Sequence, residues 1–174
     1  MNLATLPYRR LIDVVAQMEG LPCFTWNGVD YQPGEWLEAQ VLVESGGNPR
    51  ARRFEAGLAK GPDRGSGESW ASWGLLQVLG QTFNGLFGAN AVNFGPLQGP
   101  LVGLAVGVKV LVDILSQVRR QNPWVGDSEA VSRALARFNG GSSGDVVKDG
   151  RMLRQDYVDR VGSMAALVRA DRRG

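Results

Sequence analysis

The sequence predicts a mainly α single domain, and three observations carry that prediction. Apolar residues recur at helical spacing in several separate segments, each bounded by glycine, proline or capping residues. Alternating patterns typical of strands are scarce. The 174 residues, 44% hydrophobic and 21% charged, suffice for one domain with a sizeable core. We therefore expect one domain over 1–174, with at most a small β-hairpin.

The predicted helices are separated by glycine-rich connections. Helical spacing of apolar residues predicts helices over 7–18, 34–45, 101–120, 127–139 and 154–170. The short apolar stretch at 74–79 is predicted to be one more helix. The turn pair Asn27-Gly28 lies between aromatic residues and predicts a small hairpin within 24–32. Frequent glycine, asparagine and proline residues, which favour turns, predict loops over 50–69, 81–98 and 142–150.

Some of these helices carry specific expectations about burial and capping. The first helix is expected to bury a stripe formed by Leu11, Val14, Val15 and Met18. The helix over 101–120 is the most apolar segment, but Lys109 and Asp113 within it favour a buried helix of a soluble domain over a membrane span. In the helix over 127–139, Asp127 or Ser128 is expected to be the N-cap.

Glu44 is the most unusual residue of the second helix. It lies in the last turn, just before the expected stop at Gly46-Gly47, where the helix macrodipole disfavours a negative charge. Helical spacing puts it on the same mainly apolar face as Leu37 and Val41. Both effects predict a raised pKa for Glu44. A carboxyl group that stays protonated near neutral pH is suited to general acid catalysis.

The composition excludes several classes of chemistry. The chain has no histidine and one cysteine, Cys23, so it cannot form a histidine-based relay, a zinc site of histidines or paired cysteines, or an intrachain disulfide. Cys23 is expected to be a small buried or half-buried apolar residue. The net charge is +2 and the pI about 9.0. The arginines at 50–53 and 169–173 are interpreted as solvated helix ends, and no nucleic-acid-binding motif accompanies them.

Four short motifs follow one another in a fixed order. They are Glu44-Ser45, then Gly74-Leu75-Leu76-Gln77, then Leu135-Ala136-Arg137-Phe138-Asn139-Gly140-Gly141, then Tyr157-Val158-Asp159-Arg160-Val161. Their order resembles the soluble lytic transglycosylase family of the lysozyme-like superfamily, over about 36–161. Leu76 replaces the usual methionine and Phe138 the usual tyrosine. The segment 53–73 is longer than the family's linker, and Arg53-Phe54-Glu55 is similar to an Arg-Tyr-Glu segment of some relatives.

The resemblance implies a lysozyme-like fold with a substrate groove and the cleavage of peptidoglycan glycan strands. Glu44 would act first as general acid and then as base, and a 1,6-anhydromuramic acid would form. No cofactor and no metal are implied. Ser45, Gly74, Gln77, Phe138, Asn139, Tyr157 and Glu55 are the implied substrate-binding residues. Five of them also have a plain structural interpretation: capping for Ser45 and Asn139, an exposed helix face for Gln77, core packing for Tyr157, and close backbone approach at Gly74.

Two other functions are compatible with the same residues. A hydrolytic, inverting muramidase would need a second carboxylate, for which Glu55, Asp63 and Glu68 are the candidates. A non-catalytic wall-binding or virion structural module would keep the fold and lose the reaction. Trp70 and Trp73 are either core aromatics or sugar-stacking residues.

The expected partner is the glycan strand of peptidoglycan, with no nucleic acid, no membrane insertion and a monomeric state. The N-terminal stretch lacks the pattern of a secretory signal, because two arginines interrupt it and no adequate apolar core precedes a cleavage site. We therefore expect synthesis in the cytoplasm and action on the cell wall, as a phage endolysin, a virion-associated enzyme or a protein exported by a specialised system.

Overall fold

The computed structural model describes residues 7–55, 67–88 and 93–174, and there the chain is mainly α-helical, as predicted. The helices are α1 (Arg9–Met18), α2 (Pro33–Ser45), α3 (Gly80–Phe87), α4 (Pro100–Gln121), α5 (Asp127–Gly140) and α6 (Gln155–Arg173). The strands are β1 (Phe24–Trp26), β2 (Val29–Tyr31), β3 (Arg52–Phe54), β4 (Ala71–Trp73), β5 (Val78–Leu79), β6 (Val147–Lys148) and β7 (Arg151–Met152). They form antiparallel sheets in the orders β1-β2, β3-β4-β5 and β6-β7.

The chain divides into two compact units. Unit 1 comprises Met1–Val43 and Leu111–Gly174, and unit 2 comprises Glu44–Val110. The boundaries fall inside α2 and α4, so each of these helices contributes residues to both units.

Unit 1 has a core built from helices and the β1-β2 hairpin. Large, fully buried side chains include Trp36, whose indole N–H donates to the carbonyl of Pro22 over 3.0 Å. Gly162 in α6 lies against the ring of Trp26, so close that an added Cβ would be 2.3 Å from it. The backbone N–H of Thr25 in β1 donates to the hydroxyl of Ser128 in α5 at 2.8 Å. The hairpin is thereby fixed to both α5 and α6.

Helix α2 is buried on all sides rather than along one face. Every residue from Glu35 to Leu42 is buried, including the acids Glu35 and Glu38. Burying a carboxylate is costly unless cations and hydrogen bonds compensate it. Arg9 of α1 and Arg172 of α6 both bind Glu38, at 2.8 and 2.6 Å. These ion pairs join α1, α2 and α6.

The second buried acid of α2 also pairs with α6. Arg169 donates to Glu35 from Nε at 2.9 Å and also through Nη2. Burial raises the pKa of Glu35. Hydrogen bonds from Arg169 and from the backbone N–H of Gln32, together with the positive charges of Arg169 and Arg172, lower it by more. The net pKa is therefore below the ordinary 4.5. The interpretation of the arginines at 169–173 as solvated helix ends is therefore wrong for Arg169 and Arg172.

The lowered pKa of Glu35 predicts a pH-dependent contribution to stability. Because the folded-state pKa is lowered, the carboxylate stabilises the fold above about pH 4.5, and that contribution is lost as pH falls through the folded pKa. We expect Glu35→Gln to lower the Tm clearly at pH 7 and progressively less below pH 4.5. Thermal melts of both proteins from pH 7 to pH 3 measure this. A Tm difference that stays constant across that range would contradict the prediction.

Unit 2 has its own aromatic core beneath the β3-β4-β5 sheet. Ala71, Trp73, Phe94 and Leu97 form a buried cluster, against which Phe83 and Val106 pack. The rings of Trp73 and Phe94 are 6.1 Å apart. The indole N–H of Trp73 donates to the carbonyl of Glu68 at 3.1 Å. Trp73 is therefore a core aromatic, and the alternative of sugar stacking is wrong for this residue.

Three glycines allow the backbone of unit 2 to pack closely. A Cβ added at Gly74 or at Gly103 would lie 2.1 or 2.2 Å from the carbonyl oxygen of Leu97, and one at Gly107 would lie 2.6 Å from Leu76. The first part of α4 thus packs directly against the Gly74–Gln77 turn. The close backbone approach predicted for Gly74 is confirmed.

A matched pair of glycine substitutions separates close packing from backbone conformation. Gly74 and Gly46 both have positive φ, 76° and 62°, but a Cβ at Gly46 meets nothing within 4 Å. We expect Gly46→Ala to cost about 1–2 kcal/mol, the left-handed penalty alone. Gly74→Ala adds a backbone clash and should cost about 1–3 kcal/mol more. Urea unfolding measures both, and equal losses would contradict the packing argument.

The short β-structure differs most from the predictions. The β1-β2 hairpin is confirmed, and Asn27 and Gly28 both have positive φ in its turn. The limit of one small hairpin is wrong, because β3-β4-β5 and β6-β7 also form. The predicted helix at 74–79 is a hairpin turn followed by β5, and the predicted loop at 81–98 contains α3. Local apolar runs do not distinguish a short strand from a helix.

Several side-chain expectations are also wrong. Helix α1 buries Ile12, Val15 and Ala16, whereas Val14 and Met18 are exposed. Cys23 is exposed. The N-cap of α5 is Gly126, without a side-chain cap, because Ser128 binds β1 instead, and Asp127 pairs with Arg119 at 2.7 Å.

Helix α4 is long and apolar enough to span a membrane by length and composition, and 44% of its most apolar window is buried. Core helices of soluble proteins satisfy the same criterion, so this is weak evidence for a span.

Candidate functional site

Glu44 is the penultimate residue of α2 and is half-buried. Ser45 ends the helix, also half-buried, and its carbonyl accepts a hydrogen bond from the N–H of Asn48 at 3.1 Å. Gly46 and Gly47 follow with positive φ, as the predicted helix stop requires. The acid therefore lies in the last turn of a helix that is buried from Glu35 to Leu42.

The Gly74–Gln77 turn is tied to the chain that follows Glu44. The N–H of Gly74 donates to the carbonyl of Ala51 at 2.9 Å. The side-chain amide of Gln77 donates to that same carbonyl at 3.1 Å and to the carbonyl of Gly74 at 2.9 Å. Within unit 2, these bonds fix the turn to the segment that begins seven residues after Glu44.

Gln77 is held in an unusual conformation. It is 8% exposed and has a φ of 49°, a left-handed value that is uncommon outside glycine. The exposed helix face considered for Gln77 is therefore wrong. Because both amide hydrogens are used by backbone carbonyls, Oε1 is the atom that remains available to a ligand. A non-glycine residue with a left-handed backbone conformation is often found at a functional site, where that conformation fixes the direction of the side chain.

The candidate second carboxylates have partners of their own. Glu55 accepts hydrogen bonds from Arg53 at 2.7 Å and from the hydroxyl of Ser72 at 2.9 Å. Glu68 pairs with Arg52 at 2.7 Å. Asp63, the third candidate, lies outside the described residues. The carboxylates of Glu55 and Glu68 are thus bound by side chains of β3 and β4.

In unit 1, Phe138 and Asn139 occupy the last turn of α5. Asn139 is exposed and Phe138 half-buried. Helix α5 ends at Gly140, and Gly141 has a φ of 68°, as predicted for the stop. Asn139 itself has no positive φ, so the left-handed C-cap considered for it is wrong. Its side-chain amide is presented on the surface of the helix end.

The loop after Asn139 is folded back onto α5. The buried carboxylate of Asp145 pairs with Arg137 at 2.7 Å and lies 3.8 Å from Arg133. An added Cβ at Gly144 would lie 2.1 Å from the carbonyl oxygen of Ala136. Asp145 was not identified from the sequence, because it lies in a segment read as loop. Its ion pairs fix the end of α5 that carries Asn139.

Tyr157 lies in the first turn of α6 and is 1% exposed. The guanidinium carbon of Arg160 lies 5.5 Å from the centre of its ring, a cation–π distance. The burial agrees with the core reading of Tyr157 and is compatible with a hydroxyl directed at a neighbouring group. Tyr157, Phe138 and Asn139 belong to unit 1, whereas Glu44, Ser45, Glu55, Gly74 and Gln77 belong to unit 2.

Sequence reasoning missed the buried acids Glu35 and Glu38, although one signal was available. They are three residues apart, and their partners Arg169 and Arg172 are also three residues apart. Complementary charges at matched helical spacing on two helices indicate facing helices.

Among the residues described, no cluster of three or more aspartate, glutamate or cysteine side chains could hold a metal ion. No protein-family model matches the chain, and a search of curated proteins also finds no match.

Proposed function

We propose that the protein is a peptidoglycan lytic transglycosylase, with a lysozyme-like domain and a substrate groove. It cleaves the β-1,4 bond between N-acetylmuramic acid and N-acetylglucosamine. The observation that carries this proposal is the position of Glu44: a half-buried carboxyl at the end of a buried helix, followed by two glycines of positive φ. The four ordered motifs of the sequence supply the reaction class.

Glu44 serves twice in the proposed reaction. As the glycosidic bond breaks, the protonated carboxyl donates its proton to the bridging oxygen, which leaves as the 4-hydroxyl of N-acetylglucosamine. The carboxylate then accepts the proton of the muramic acid C6 hydroxyl, whose oxygen attacks C1 and closes the 1,6-anhydro ring. The acetamido group of the substrate assists the oxocarbenium-like centre, so no second protein carboxylate and no water are needed. The commitment of Glu55 and Glu68 to arginine partners supports this one-acid scheme.

The remaining residues bind the strand in this proposal. The amide of Asn139 donates and accepts hydrogen bonds with sugar hydroxyl and acetamido groups, and Oε1 of Gln77 accepts them. Ser45 and Glu55 contribute polar contacts, and Phe138 an apolar one. Gly74 lets the backbone turn approach closely, and the hydroxyl of Tyr157 supplies a further polar contact to the strand.

Product analysis tests the proposal directly. Purified peptidoglycan incubated with the protein should release muropeptides that end in 1,6-anhydromuramic acid, identified by mass spectrometry as products lacking one water. Reducing-end products would instead identify a hydrolytic muramidase, and an inverted anomeric configuration of the first product would identify the inverting type. Binding without any cleavage would favour a wall-binding or virion module and overturn the enzymatic assignment.

The route to the wall is part of the same proposal. We infer cytoplasmic synthesis followed by release, as a phage endolysin or as an enzyme carried in a virion. Mass spectrometry of purified virions separates these routes, since only the second leaves the protein in the particle.

A further inference from the structure

A pocket of about 370 Å³ lies in unit 1, beside the end of α2. Helix α6 forms most of it, and α2 contributes one residue. Its lining residues are Val43, Asp159, Arg160, Ser163, Met164 and Leu167. The volume lies within the range of small-ligand sites. None of these residues has a role in the glycan-cleaving reaction proposed above.

The pocket combines an apolar surface with one uncompensated positive charge. Val43, Met164 and Leu167 supply the apolar part, and Leu167 is 57% exposed. Asp159 is already engaged by Arg151 at 2.9 Å and by Gln155 at 3.0 Å. Arg160 has no carboxylate partner in the described parts of the chain. An occupant should therefore carry a carboxylate together with small apolar groups.

Two features relate the pocket to residues assigned to the proposed site. Val43 immediately precedes Glu44 in the chain. Arg160, at the pocket, stacks over the ring of Tyr157, which the proposed function assigns to substrate binding. A ligand held at Arg160 would thus lie next to Tyr157, one of the residues assigned to the glycan strand.

We propose that this pocket binds the peptide arm carried by the muramic acid residue of the substrate. The inference rests on the proposed function. The arm is acidic and rich in alanine methyl groups, which matches an exposed guanidinium without a carboxylate partner among the described residues, beside an apolar surface. An arm of four or five residues spans up to about 14–18 Å when extended, so it reaches well beyond the sugar to which it is attached. Without the peptide, the glycan carries only the lactyl carboxylate next to the sugar ring and lacks the alanine methyl groups and the more distant carboxylates of the arm.

Binding measurements test the inference without depending on cleavage. The dissociation constants of the full-length protein are measured by calorimetry for a muropeptide disaccharide with its peptide and for the same disaccharide after removal of the peptide. The peptide-bearing ligand should bind about tenfold or more tightly, as expected for a charge-assisted hydrogen bond with apolar contacts. Equal constants, or no binding of either ligand, would overturn the inference.

Two variants locate the preference in the pocket. Arg160→Ala removes the cation, and Ser163→Phe fills the pocket from an exposed position on α6. Each should reduce the preference for the peptide-bearing ligand by about fivefold or more. Arg120→Ala, at an exposed arginine of α4, is the matched control and should keep the preference. A preference that survives both pocket variants would overturn the assignment.

This test and that of the proposed function fail in different ways. A protein that forms anhydro products but binds both ligands equally would retain the transglycosylase assignment and lose the peptide pocket. A protein that prefers the peptide-bearing ligand but forms no anhydro product would retain the pocket as a wall-recognition site and lose the enzymatic assignment.

Discussion

Glu44→Gln should abolish most of the wall-clearing activity while leaving the protein folded. The amide has the size of the carboxyl group but can neither give up a proton to the bridging oxygen nor take one from the C6 hydroxyl. General acid–base catalysis contributes about 10²–10⁴-fold to such reactions, and here one group serves both steps. We expect a rate loss toward the upper end of that range. Turbidity clearing of purified wall and quantification of anhydro products measure it.

The chain offers a matched control for this substitution. Glu19 follows α1 directly and is exposed, so it is also a glutamate at a helix end. Glu19→Gln should clear wall at the wild-type rate. Circular dichroism and thermal melts should show that both variants are folded. If Glu44→Gln cleared wall as fast as Glu19→Gln, Glu44 would not be the catalytic acid, whatever the reaction.

The long helices could be predicted because their signals are local. Helix α4 was expected over 101–120 and extends over Pro100–Gln121, and α5 was expected over 127–139 and extends over Asp127–Gly140. Apolar spacing, a proline at the start and glycines at the end fix such elements without reference to the rest of the fold. The stop after Glu44 follows from the same signals.

The residues that misled the sequence reasoning depend on distant partners. The phase of the buried side of α1 is set by what it packs against, and the Arg9–Glu38 pair draws it toward α2. Strand β3 pairs with β4 between residues 17 to 21 positions apart, and no local pattern in strands of two or three residues indicates the sheet. The positive φ of Gln77 likewise follows from its bonds to Ala51.

The candidate site was predictable as a set of residue types but not in its details. Glu44 at a helix end and Asn139 before two glycines follow from helix-stop signals. The hydrogen bonds from the side-chain amide of Gln77 to backbone carbonyls could not be predicted, because the turn exists only once β4 and β5 have paired. Asp145 illustrates the same point, since its burial depends on two arginines one turn apart on α5.

Replacement of Glu38 should cause the largest loss of stability among the variants considered. Its carboxylate is 0% exposed and is bound by both Arg9 and Arg172. Glu38→Ala removes the buried charge shared by the two arginines and leaves a cavity. Arg9 then keeps Asp171, and Arg172 keeps Asp13, as a carboxylate partner. Removing one partner of a buried ion pair typically costs about 3–5 kcal/mol. For a chain of this size, that corresponds to a decrease in Tm of about 6–20 °C.

A surface ion pair provides the control for this prediction. Glu68 pairs with Arg52 at a similar distance, 2.7 Å, but both side chains are more than a third exposed. Glu68→Ala should therefore cost less than about 1 kcal/mol. Chemical unfolding of both variants, followed by circular dichroism, compares the two losses. Similar losses would show that solvent or rearrangement of the arginines compensates the buried site. A much larger loss for Glu38→Ala would establish that the arginines of α1 and α6 hold α2, and so support the helix at whose end Glu44 must act.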